Sequence, residues 1–213
     1  MKYLKMLGLA ACAAMALLAL GGVGSATATV LCSENIRPCP KGDDYGVGTE
    51  IQATLVAGTH TTISDTSENP ITTCTASTLK AKMTSTGGTP AVPVQAAIES
   101  LAFTECTNPV AVPKLGSFDI EHIGGSNTLG TFTLKEAEIK VTLFGSVQCT
   151  YSAANVVDMG LVTGTTLMSN ATFDFAGILP RIAGGFLCPA TSRWRATYSI
   201  TEPVPLYVKE EME

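Results

Sequence analysis

The chain has 213 residues, 46% of them apolar and 15% charged, with 20 Gly, 11 Pro and a formal net charge of −5. So much apolar material with so little charge excludes intrinsic disorder, and the composition is neither collagen-like nor that of a coiled coil. It identifies no reaction, but it admits one or two domains with a working core.

Residues 1–28 read as a secretory signal peptide. Lys2 and Lys5 give a positive start, Met6 to Leu20 is uncharged and apolar, and Ala26-Thr27-Ala28 fits a small-residue cleavage pattern. A spanning helix needs about 20 apolar residues, more than this run supplies before Gly21-Gly22. Leu9-Ala10-Ala11-Cys12 has the look of a lipobox, yet the apolar run continues past Cys12, which is expected to leave with the leader. Cleavage after Ala28 leaves residues 29–213 with 11 Lys and Arg against 18 Asp and Glu, a net charge of −7. No Lys/Arg cluster is present, so the electrostatic footprint of nucleic-acid binding is missing. The expected product is soluble, acidic and extracellular, with no transmembrane segment after cleavage.

An N-terminal segment, 29–48, carries the first two of six remaining cysteines: Cys32, Cys39, Cys74, Cys106, Cys149 and Cys188. An even number in an exported chain reads as disulfides. Zinc would want close Cys pairs, and only Cys32 and Cys39 lie within ten residues of each other. Sequential pairing is expected: Cys32–Cys39, Cys74–Cys106 and Cys149–Cys188.

From residue 49 to 208 the pattern is that of half-buried strands. Alternation is clear in Thr78 to Thr84 and Trp194 to Thr201. It is weaker in Glu50 to Ala57, Ile98 to Phe103, Phe118 to Ile123, Gly130 to Leu134, Glu138 to Phe144 and Thr172 to Ile178. Turns are signalled by Gly87-Gly88, Asn108-Pro109, Gly124-Gly125, Gly184-Gly185 and Glu202-Pro203. Thr fills 28 of the 185 positions after Ala28. That favours strands over helices, because a β-branched hydroxyl residue suits the wet face of a sheet. The expectation is an all-β, antiparallel β-sandwich, Ig-like or related. Cys74-Thr75-Ala76-Ser77 echoes Cys149-Thr150-Tyr151-Ser152. Two similar stapled modules, near 49–110 and 117–201, or two hairpin-rich halves of one sandwich, explain the echo equally well. The charged tail 209–213 is expected to be a frayed, solubilising end.

The opening Met1 to Ala11, the junction Ser25 to Cys32, Cys188-Pro189-Ala190, Trp194, Tyr198 and the ending Pro203 to Val208 resemble a family of uncharacterised actinobacterial secreted proteins. The resemblance spans nearly the whole chain. It implies export and a β-rich fold, and no activity.

Chemistry-bearing motifs are scarce. No Gly-x-Ser-x-Gly elbow, Walker loop, HExxH or EF-hand loop occurs. In Asp119-Ile120-Glu121-His122 the two carboxylates share one strand face and His122 turns to the other. That suits a solvated face better than acid–base work, which needs convergence. His60 reads as a loop residue. Asp43 and Asp44 supply hard oxygen ligands of the kind calcium takes, but without a ligand spacing they read as a turn. Trp194, the only tryptophan, alternates in register with Ala196, Tyr198 and Ile200 and reads as core rather than a sugar-stacking platform. Arg193 and Arg195 face the opposite side. Asn170-Ala171-Thr172 is a formal glycosylation sequon, set aside for an actinobacterial host.

The reading is a secreted, non-enzymatic structural or interaction protein of the cell envelope or extracellular space, with a macromolecular partner and no cofactor or metal. Two other readings stay open. A neocarzinostatin-like carrier would hold a small apolar ligand between its sheets. A secreted hydrolase would bring Asp119, Glu121 or His122 together with groups from other strands.

Overall fold

The structure, a computed structural model, describes residues 28–89, 92–124, 126, 128–153 and 156–211. The expected signal peptide up to Thr27 and Cys12 within it lie outside the described residues; Ala28 is the first residue of a strand. No helix occurs among the described residues. The strands are β1 (Ala28–Cys32), β2 (Glu50–Leu55), β3 (Thr61–Ser64), β4 (Pro70–Thr89), β5 (Val92–Cys106), β6 (Val110–Lys114) and β7 (Ser117–His122). They continue with β8 (Leu129–Lys135), β9 (Glu138–Leu143), β10 (Val147–Ser152), β11 (Val156–Thr163), β12 (Thr172–Ala183), β13 (Thr191–Glu202) and β14 (Tyr207–Glu211).

The alternation in the sequence becomes an inside and an outside. Along β13, Ser192, Trp194, Ala196, Tyr198 and Ile200 are buried, while Arg193 and Arg195 point outward. Gly130, Phe132 and Leu134 are the buried residues of β8.

All pairings are antiparallel, and the main sheet closes on itself. β4, β5, β7, β8, β11, β12 and β13 follow one another around a ring. The gap between β13 and β4 is filled by β2 and β3 placed end to end. β2 pairs with Thr78–Lys82 of β4, and β3 pairs with the stretch from Pro70 to Cys74; both also pair with β13. The ring therefore has eight strand positions drawn from both of the stretches 49–110 and 117–201. The all-β, antiparallel expectation is met, but the sandwich is corrected to a barrel. Short apolar strands look alike in both architectures. What decides is whether the last strand of a twisted sheet finds the first, and closure removes the open edges that a sandwich keeps. Gly160 permits the close approach of β11 to β12, since a Cβ there would lie 1.7 Å from the Asp174 carbonyl oxygen.

The lumen is filled by rings. Phe118 meets Phe132 at 4.9 Å between centroids, Phe132 meets Phe175 at 4.7 Å, and Phe175 stacks on Trp194 at 4.5 Å. Phe173, Tyr198 and Phe103 join at 5.3–5.7 Å. These separations fall within the range in which aromatic pairs attract, and an eight-position barrel has an interior just wide enough for side chains to occupy.

Each end of the barrel is extended. At one end β1 and β14 form a two-stranded ribbon, held by the His122 amide donating to Thr29 Oγ1 at 2.8 Å and the Thr165 amide donating to the Leu206 carbonyl at 2.7 Å. Leu31, Leu206 and Val208 of this region are buried. The expectation of a frayed tail is corrected for Lys209 to Glu211, which belong to β14; residues 212–213 lie outside the described residues. Lys209 and Glu210 are strand residues opposite Val30 and Thr29, and Lys209 is almost fully buried, with Nζ donating to Asn35 Oδ1 at 2.7 Å. The partner strand β1 supplies what a charged terminus cannot announce by itself. At the other end the last residues of β12 leave the ring to pair with β10, which pairs with β9, which pairs with β6.

Three disulfides join Cys32 to Cys39, Cys74 to Cys106 and Cys149 to Cys188, the sequential set. The second joins directly opposed residues of β4 and β5. The third ties β10 to the loop after β12. Three intramolecular disulfides are typical of proteins from oxidising, extracytoplasmic surroundings.

Candidate functional site

The residues singled out for chemistry do not converge. Asp119 lies on β7 with its carboxylate paired to the Lys135 ammonium and accepting a bond from Gln95 Nε2 at 3.3 Å. It is buried rather than solvated, because neighbouring strands cover it with Gln95 and Lys135. Glu121, two residues on, is exposed. His122 turns away and contacts the Ser126 carbonyl through Nε2 at 2.7 Å, inside a local turn. His60 is exposed in the loop between β2 and β3. Asp43 is used through its backbone, its carbonyl accepting from the amide and hydroxyl of Ser33, and Asp44 Oδ1 accepts from the Gly42 amide. Among the described residues no group of three or more His, Cys, Asp or Glu side chains is arranged to hold a metal ion. Trp194 is a lumen residue and offers no face to a sugar. Asn170 is exposed just before β12.

Two of the lumen's polar groups pair with each other, while Trp194 Nε1 has no hydrogen-bond partner among the described residues. Tyr198 O–H and Ser77 Oγ lie 2.8 Å apart, and Ser77 also donates to the Ala102 carbonyl. Burial pushes the Tyr198 phenol up to about 12, with the Ser77 hydroxyl opposing in part.

What the sequence reading missed is an apolar surface. Ile178 and Ile182 stand on the outer face of β12, about half exposed, beside exposed Ala176 and Pro180. The loop that follows presents Phe186 at 94% exposure and Leu187 at 50%. A turn holds them: the Cys188 amide donates to the Gly185 carbonyl at 3.1 Å, and Arg181 Nη1 donates to the carbonyls of Gly185 and Cys188. This loop lies against β10, for a Cβ on Gly184 would meet the Gln148 carbonyl oxygen at 2.8 Å. Four residues before Gln148, at the turn between β9 and β10, Phe144 is 82% exposed. A further apolar tip, Leu167-Met168, sits at the opposite end of β12. Its turn is closed by the Met168 and Ser169 amides donating to Thr166 Oγ1.

A signal for this surface was present in the sequence. Ala176-Gly177-Ile178-Leu179-Pro180 is apolar on both faces, which strict alternation does not predict for a half-wet strand. Phe144-Gly145 also stands where Asn-Gly would suit a tight hairpin turn.

Comparison with protein-family models, with curated proteins and with solved structures finds no match to this chain.

Proposed function

We propose that this chain is a secreted interaction protein of the cell envelope or extracellular space, without catalytic chemistry of its own. The observation that carries the reading is the division of its apolar residues. One set fills the barrel lumen with packed rings; a second faces outward on the end of β12, the loop after it and the β9–β10 turn, where the fold has no use for it. Exposed apolar patches of this kind mark interaction sites. Three disulfides and the signal-like start support export, as does the resemblance to actinobacterial secreted proteins. The dispersal of Asp119, Glu121, His122 and His60 is the ground for setting a hydrolase aside. The rings across the lumen occupy the space that a neocarzinostatin-like carrier would give to its ligand.

The test is co-sedimentation of the purified, oxidised protein with washed actinobacterial cell envelopes, together with native mass spectrometry of the protein recovered from culture medium. The reading predicts retention on envelopes and a native mass equal to that of residues 29–213 with three disulfides. No retention would overturn it, and extra native mass lost on denaturation would replace it with the carrier reading.

A further inference from the structure

We propose that the face built from Phe144, Ile178, Ile182, Phe186 and Leu187 docks on an anionic lipid bilayer. The inference rests on the interaction reading above and names its partner.

The first ground is Phe144 itself. The turn it occupies is closed by the Ser146 amide donating to the Leu143 carbonyl at 3.1 Å, and both central residues have positive φ, 50° at Phe144 and 75° at Gly145. Asn, Asp or Gly are the residues such a position favours, and a bulky aromatic there is a steric outlier. The other non-Gly residues with positive φ among the described residues are Glu68, Glu105 and Glu136. An aromatic ring kept in a strained turn and turned into water is not explained by the hairpin; backbone strain of this kind clusters at binding and switch sites.

The second ground is how the neighbouring tip is presented. Phe186 and Leu187 occupy the middle of a four-residue turn that Arg181 and the Cys149–Cys188 disulfide hold in place. Rigid presentation lowers the ordering cost of inserting an apolar tip.

The third ground is charge, and it selects the occupant. Residues 139–157 and 175–201, which contain the whole apolar face, hold Lys140, Arg181, Arg193 and Arg195 and not one Asp or Glu, in a chain with 18 acids. The acids begin again at Glu138, Asp158, Asp174 and Glu202. Of the acids near these segments, Glu68 reaches Arg193 and Arg195 at 2.7 and 2.9 Å, Glu138 lies two residues before Lys140 on β9, and Asp174 stands at the far end of β12, away from the apolar residues of this face. The face is thus apolar and mildly cationic on an otherwise acidic molecule. A bilayer interface with anionic headgroups complements both properties. Aromatic and aliphatic tips enter the headgroup–acyl boundary, and Arg and Lys side chains reach the lipid phosphates. The acidic remainder is repelled by the same surface, which orients the molecule with this end down.

The experiment is sedimentation of the disulfide-bonded protein with phosphatidylcholine vesicles, with or without phosphatidylglycerol. Wild type is expected to partition onto phosphatidylglycerol vesicles, more weakly as salt rises. The double variant F144N/F186S should bind about tenfold less or worse, since affinity scales with inserted apolar area. Asn suits the turn at 144, so this variant is expected to fold, checked by its three disulfides and cooperative unfolding. L167S/M168S, at the far end of β12, should bind as wild type does. Absence of wild-type binding, or binding that F144N/F186S leaves unchanged, overturns the proposal. A wild-type dimer that F144N/F186S converts to monomer, without vesicle binding, assigns the face to a second copy and also overturns it. In either case retention on washed envelopes would leave the interaction reading standing, and its loss would remove that as well.

Discussion

The two faces of β12 carry nearly the same residue types and have opposite fates. Inward, Phe173, Phe175 and Leu179 are at most 4% exposed and interlock with rings from β7, β8 and β13. Outward, Ile178 and Ile182 are about half exposed and the strand runs on to Phe186 in water. Folding explains the first set completely, because an eight-position barrel without those rings would be hollow. It gives no reason for the second. Isolated surface hydrophobes are ordinary, but a run of them continued by two loop tips is not. On the proposed reading the outer face serves interaction, where the lumen serves stability.

The sharpest way to break that contrast is to shorten one side chain on each face. Trp194→Ala should cost about 3–5 kcal/mol, the usual range for a large buried aromatic, seen as a large fall in the denaturant midpoint. I178S/I182S should stay within about 0.5 kcal/mol of wild type, as surface changes do. A large loss from the outer pair would make that face part of the core.

Cys149→Ser with Cys188→Ser opens a loop of sequence separation 39, worth about 4 kcal/mol in the chain-entropy model. It should also loosen the turn carrying Phe186, so limited proteolysis near residues 184–190 is expected to quicken. Resistance equal to wild type would mean that the Arg181 contacts alone hold the turn.

A smaller effect is expected in alkali. The Tyr198 phenol ionises near 10 when unfolded and at about 12 in the barrel. Its stabilising contribution is therefore complete below pH 10 and is lost as pH rises toward 12, in all about 2–3 kcal/mol by linkage. Denaturation midpoints measured across that window should fall steeply in wild type and less in Tyr198→Phe; parallel slopes would contradict the assignment. A still smaller change in stability has the opposite sign. Phe144→Asn should raise stability by about 0.5–1 kcal/mol by relieving the positive φ, and a loss would show that Phe144 packs on the fold after all.

The strands and staples were legible because each depends on local pattern. Alternation marks β13 and β8 with no knowledge of their partners, and the disulfides join cysteines in sequence order, one of them across the β4–β5 hairpin. Closure was not legible, because it depends on β2 and β3 sharing one ring position, a relation between segments on either side of the loop at 56–60. The burial of Lys209 was hidden for the same reason: only the pairing with β1 takes a charged tail out of solvent. At the candidate site the dispersed carboxylates were readable as such, whereas the apolar face left only partial signals, at Ala176 to Pro180 and at Phe144-Gly145. Phe144 lies far in sequence from Ile182 and Phe186, and only the Cys149–Cys188 linkage and the β10–β12 pairing tie their two segments together.

The central claim, a packed barrel carrying a functional outer end, is tested most directly by hydrogen–deuterium exchange with and without the vesicles or envelopes the protein retains. The account predicts new protection in residues 142–150 and 176–188, with slow, unchanged exchange in β5 and β13. Protection gained instead by β5 and β13, with the two apolar loops unaffected, would place the binding in the lumen and contradict it.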